Sequence, residues 1–218
     1  LMKVIQASAL LKINLVTTFI GRNKNLNITD NLELAGNVWK PILEYAESLN
    51  VKIAIENCPM LFTEDEWPGG KNIAVSPAIW RELFKRLPSE YLGLNFDPSH
   101  FIWQEMDYIR PLYEFKDKIF HVHYKDIRVD KEARNEVGVL ATPLSYMVPC
   151  IPGHGDVNWA RYISALLEIG YQGAACIEVE DKSFEDNNEN IENSLKISRQ
   201  YLKQFIHFPE KGRQYAKD

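Results

Sequence analysis

Five short apolar runs rich in β-branched residues recur along the chain, and four of them end in a carboxylate or an imidazole. They are residues 14–20 (NLVTTFI), 51–56 (VKIAIE), 92–97 (LGLNFD), 119–123 (IFHVH) and 174–178 (AACIE). Helical patterns lie between them. Residues 30–49 carry apolar groups near helical spacing, with Pro41 predicting a kink or break. Ser76-Pro77 is a cap residue followed by proline at the first helical position, and Ile79, Trp80, Leu83, Phe84 and Leu87 then share one face. Residues 107–115 give a weaker helical pattern. A further helix is predicted from Asp156 to a stop at Gly170, and another over 190–205. Residues 126–149 read as a long polar loop, and the charged tail after His207 as frayed.

Strands alternating with helices specify βαβ units and a parallel sheet, either open and doubly wound or closed as a barrel. The polar residues separate the two. Glu56, Asp97, His123 and Glu178 all fall at the C-terminal ends of predicted strands, where a barrel enzyme gathers its catalytic groups. No GxGxxG or phosphate-loop pattern supports a nucleotide-binding sheet. The expectation is therefore an α/β, TIM-type (β/α) barrel.

The bulk composition bounds the partners. A net charge of −5 argues against a nucleic-acid groove, which needs clustered Lys and Arg. Cys58, Cys150 and Cys176 show no CxxC spacing and suit reduced, mostly buried thiols of a cytoplasmic protein. With no apolar stretch near eighteen residues and no signal peptide, neither membrane insertion nor export is expected.

Three carboxylates and one imidazole make a mixed oxygen and nitrogen donor set suited to one divalent ion: Mn²⁺, Mg²⁺, Co²⁺ or Zn²⁺. Any one of these residues alone is more often a loop cap or half of an ion pair; four at successive strand ends are harder to explain that way. His121 and His123 alternate with Val122 and share one side of their strand. His123, nearer the strand end, is the expected ligand, with His121 behind it or packed in the core. Glu178 is preferred over Glu180 and Asp181 on the same reasoning. Lys125 and Asp126 flank His123 as candidate orienting residues, while Trp103 and Trp159 read as core.

The segments IAIENCP (53–59), LGLNFDPSH (92–100), HVHYKD (121–126), PGHGDVNW (152–159) and GYQGAACIEVED (170–181) occur in an order and spacing that resemble the sugar phosphate isomerase/epimerase group of xylose isomerase-like TIM barrels. TTFIGR (17–22) adds the preceding strand. The resemblance implies metal ligands Glu56, Asp97, His123 and Glu178, with Glu56 and Glu178 as proton-transfer groups on opposite faces of a chelated ketose, aldose or polyol. It further implies His100 as a substrate contact and places Arg128 near a substrate-binding arginine. Trp67, in the WPGG turn, and His154, in PGHGD, are additional candidates for substrate contact.

The matched strands correspond to the fourth to eighth of such a barrel, so residues 1–218 read as a single, N-terminally incomplete domain. Three βα units, about 80 residues, are unaccounted for, which accords with a sequence that opens inside a helical pattern at LMKVIQASALLK. The strand at 14–20 would then form an exposed sheet edge, and a homo-oligomer is expected. Two other readings stand beside the isomerase/epimerase: a metal-holding oligomer without turnover, and an apurinic-site endonuclease. The acidic balance and the lack of further metal-type motifs weigh against the endonuclease.

Overall fold

A computed structural model describes residues 1–206; the tail expected to fray lies outside them. Its helices are α1 (Met2–Leu10), α2 (Ile28–Ser48), α3 (Pro77–Arg86), α4 (Ser99–Ile102), α5 (Arg110–Glu114), α6 (Lys131–Val137), α7 (Trp159–Glu168) and α8 (Asn188–Leu202). Its strands are β1 (Leu15–Thr18), β2 (Lys52–Glu56), β3 (Leu92–Phe96), β4 (Ile119–Tyr124), β5 (Asp126–Val129), β6 (Met147–Cys150) and β7 (Ala174–Ile177). The order β1-β2-β3-β4-β7 forms one fully parallel sheet, with β5 and β6 as a separate antiparallel pair. This is a parallel half-barrel, with the strand–helix alternation that the sequence predicts.

The central strands read as continuous apolar runs because both their faces are covered. All five residues of β3 are buried, and a Cβ on Gly93 would meet the Lys118 carbonyl oxygen at 2.4 Å and the Phe120 ring at 2.5 Å. Glycine there lets β3 and β4 approach. Over the sheet, the fully buried Trp80 of α3 stands edge-on to Phe96, Phe101 and Phe115, with ring centroids 5.2–5.9 Å apart. Its indole donates to the Ala74 carbonyl at 2.7 Å, so the large ring is buried without orphaning its N–H.

Three expectations are corrected. Residues 126–149 are a hairpin-like excursion, β5, α6 and β6, rather than a long loop. The helix α2 runs unbroken through Pro41, so the expected break does not occur; Pro41 and Asn37, the residue whose carbonyl it leaves without a helical donor, are both exposed. Cys176 is exposed, because β7 is a sheet edge with three of its four residues accessible. Trp159 lies in the core, and Trp103 is buried in a smaller apolar cluster with Leu61, Ile127, Val129 and Tyr146. Among the described residues no helix is long and apolar enough to cross a membrane.

Candidate metal centre

Parallel pairing in register stacks the strand ends side by side and brings their last side chains to one place. Glu56 closes β2, Asp97 follows β3, His123 lies near the end of β4 and Glu178 follows β7. One donor atom from each lies within 4.8 Å of all the others. His123 Nδ1 is 2.7 Å from Glu178 Oε2, 3.7 Å from Glu56 Oε1 and 3.9 Å from Asp97 Oδ2. Glu56 is 9% exposed and Asp97 0%.

The donors fit a divalent cation by a physical criterion as well as by chemical type. Asp97 Oδ2, His123 Nδ1 and Glu178 Oε2 are buried without a hydrogen-bond partner, though His123 and Glu178 face each other as an ion pair at 2.7 Å. Buried polar atoms seldom remain unsatisfied, and three pointing at a common centre indicate a missing partner. His100 Nε2 is a fourth such atom, 3.4 Å from Asp97 Oδ2 and 3.8 Å from Glu56 Oε1. Glu56 also forms a trio with Cys58 and His100.

Electrostatics separates the two glutamates. Burial, followed by the Asp97 and Glu178 charges, raises Glu56 to about 7. Burial would raise Glu178 too, but the His123 contact and the Lys125 charge leave it below its ordinary value. Burial alone would lower His123; Asp97, Glu178 and Glu56 outweigh it and lift the imidazole to about 10 in the metal-free protein. Asp97 falls below the ordinary carboxylate range despite burial, through His100, His123, Lys125 and Ser99. His100 is pushed down to about 4 by burial, so it is neutral near pH 7. Lys125 is 2% exposed and held between Glu180 at 2.6 Å and Glu178 at 3.4 Å.

Buried asparagines hold the donors from behind. Asn57 grips Asp97 on both sides, Oδ1 accepting from its N–H at 2.8 Å and Nδ2 donating to its carbonyl at 2.9 Å. Asn72 Nδ2 donates to the Glu56 and Cys58 carbonyls at 2.7 and 2.8 Å. Asn95 lies between the two histidines, at 2.8 Å from His121 Nδ1 and 3.0 Å from His123 Nε2. None of the three was singled out from sequence. The available signal was alternation, which puts Asn95 on the same side of its strand as Asp97.

A cavity of about 550 Å³ is lined by Cys58, Glu180 and the donors' neighbours His100 and Lys125, with Met60, Phe62, Trp103, Ile127 and Met147 among its apolar walls; Glu56, Asp97, His123 and Glu178 lie behind His100 and Lys125 rather than on its lining. Burial pushes the Cys58 thiol up to about 12, so it contributes as a neutral group. His100 thus joins cavity and cluster. The structure does not bring the other three candidates there. Arg128 is exposed on β5, His154 is exposed with its ring 6.3 Å from Phe184, and none of Arg128, His154 or Trp67 lines the cavity. Trp67 packs beside the smaller apolar cluster and donates its indole N–H to the Leu140 carbonyl at 3.0 Å, tying two loops together.

The chain belongs to the xylose isomerase-like TIM barrel family, whose model matches residues 1–203. It is 27% identical over 117 residues to an inosose dehydratase of Lactiplantibacillus plantarum, covering 53% of this chain and 38% of that protein. Among solved structures it resembles the IOLI protein with a bound zinc atom, at TM-score 0.70 and 17% identity over 95% of this chain and 69% of that one. It also resembles a D-tagatose 3-epimerase-like protein, at TM-score 0.68 and 21% identity over 94% and 67%. The chain spans about half, or less, of the length of the curated relatives it matches.

Proposed function

We propose that this chain carries the metal centre of a divalent-metal-dependent isomerase or epimerase acting on a ketose, aldose or polyol. The observation that carries the reading is the convergence of Glu56, Asp97, His123 and Glu178 at the mouth of the sheet, beside a cavity of about 550 Å³. Those four residues would hold the ion, with Mn²⁺, Mg²⁺, Co²⁺ and Zn²⁺ all compatible with the donors. When bound, it supplies Lewis-acid stabilisation of negative charge developing on a substrate carbonyl oxygen.

The side chains supply the proton transfers. Two carboxylates poised apart, Glu56 high and Glu178 low, form the kind of pair in which one group takes a proton while the other returns one. In a ketose or aldose, removal of the proton from the hydroxyl-bearing carbon beside the carbonyl gives an enediolate. Its return to the opposite face inverts that centre. Neutral, unpartnered His100 offers a hydrogen bond to a substrate hydroxyl. The apolar walls exclude water and give the carbon face of a sugar a surface to lie on.

A second reading, dehydration, is favoured by the similarity to inosose dehydratases. The same first proton abstraction would be followed by departure of the β-hydroxyl as water. Both readings need the metal. Elemental analysis of purified protein beside Glu178→Gln should give about one divalent ion per wild-type chain and much less in the variant. A metal-loaded protein should then catalyse exchange of substrate C–H for solvent deuterium, with an epimer or a dehydrated product identifying which reading holds. No metal in wild type, even after soaking with Mn²⁺ and Zn²⁺, would remove both.

A further inference from the structure

The register between β3 and β4 shifts at Leu94/Asn95, which sets Asn95 directly across from His121. Asn95 is 0% exposed and His121 9%. The amide therefore bridges two imidazoles, with its Oδ1 2.8 Å from His121 Nδ1 and its Nδ2 3.0 Å from His123 Nε2. Held by Nε2, His123 has only Nδ1 left to face the three carboxylates.

A neutral imidazole that ligates through Nδ1 carries its proton on Nε2, and a buried N–H needs an acceptor. Asparagine carries an acceptor and a donor on one amide, so a half-turn of the group presents Oδ1 to His123 Nε2–H and Nδ2–H to His121 Nδ1. His121 can answer because an imidazole nitrogen accepts once its proton resides on the other nitrogen. A carboxylate in place of Asn95 could serve His123 equally well but would demand a proton on His121 Nδ1. An aliphatic side chain could serve neither.

We propose that Asn95, backed by His121, is the positioning residue of the His123 ligand: its Oδ1 accepts the His123 Nε2–H when metal is held at Nδ1, and His121 adopts the Nε2–H tautomer. This rests on the metal reading above. It is tested by Zn²⁺ competition titrations on wild type, Asn95→Leu, Asn95→Asp and Glu178→Gln, with long-range ¹H–¹⁵N spectra of the imidazole nitrogens. Asn95→Leu should bind Zn²⁺ about 10- to 100-fold more weakly, whereas Asn95→Asp should stay within a few-fold of wild type or exceed it. In Zn²⁺-loaded wild type the proton should reside on Nε2 of both histidines; in Asn95→Asp the His121 proton should move to Nδ1. A merely structural role would weaken both variants alike and leave the His121 tautomer unchanged. Zn²⁺ lost in Glu178→Gln but kept by Asn95→Leu would overturn this inference alone, as would a bare His123 Nε2 in the loaded wild type, which needs no variant to fold. A wild type that takes up no Zn²⁺ would sink the metal reading and this inference with it.

Discussion

At the scale of single residues, the donors are ordinary and the groups holding them are not. Asp97 can point an unpartnered oxygen into the cluster because its backbone is fixed by the two Asn57 hydrogen bonds and its other oxygen accepts from Ser99 N–H at 2.8 Å. Replacing Asn57 by alanine removes both backbone partners in a fully buried place. Each unsatisfied group costs about 1–3 kcal/mol, so Asn57→Ala should destabilise the metal-free protein by roughly 2–6 kcal/mol, read from urea unfolding in EDTA. A change under about 0.5 kcal/mol, the range of ordinary surface substitutions, would mean that Asp97 is held by other means. The four side chains that the structure brings together could be picked out in sequence because carboxylates and imidazoles at strand ends carry an obvious chemistry. The asparagines were not, since an amide neither titrates nor ligates strongly, and IEN or LNFD reads equally well as strand-end polarity.

At the scale of elements, β-strand runs and helix caps were legible to within a few residues, since parallel strands buried on both faces leave unmistakable apolar runs. The β5–β6 pair was hidden. Its strands are four residues each, one contains Pro149, and their pairing is closed by a distant loop that no local pattern announces. That closure is Asp126, which is fully buried. It accepts from the N–H groups of Ile127, Gly153 and Val157 at 2.9, 2.9 and 3.0 Å and from the Trp159 indole at 2.8 Å, so the PGHGDVNW segment folds around one carboxylate. Gly155 sits against it, and a Cβ there would meet Asp126 Oδ1 at 2.3 Å and the Ile127 carbonyl oxygen at 2.5 Å. Because backbone must give way, Gly155→Ala should cost about 1–3 kcal/mol by overpacking, a fall in Tm of several degrees for a chain of this size. An unchanged melting temperature would show that the loop has slack around Asp126.

At the scale of the whole molecule, the five-stranded sheet ends at β1 on one side and β7 on the other, and the charge it gathers at its mouth makes its stability answer to pH. Glu56, raised to about 7 from an ordinary 4.5, favours the folded state while protonated; that contribution is complete below about 4.5 and is lost as pH rises through about 7. His123, raised to about 10 from 6.5, contributes fully below 6.5 and loses its contribution as pH rises through about 10. Asp97 and Glu178 are shifted down, so what they contribute is already in place above the ordinary carboxylate range and changes little from there upward. The metal-free protein should therefore lose stability between pH 6 and 8.5. On the metal reading a divalent cation would replace those protons: it would need Glu56 and His123 deprotonated, so it would compete with protons at low pH and bind freely at high pH. The Tm difference between Mn²⁺-loaded and EDTA-treated protein should accordingly widen from pH 6 to pH 8.5, because the metal-free form falls while the loaded form gains. A difference that stays constant or narrows over that range would mean that the cluster does not trade protons for metal, and that the four donors are held together by something other than the ion their geometry suits.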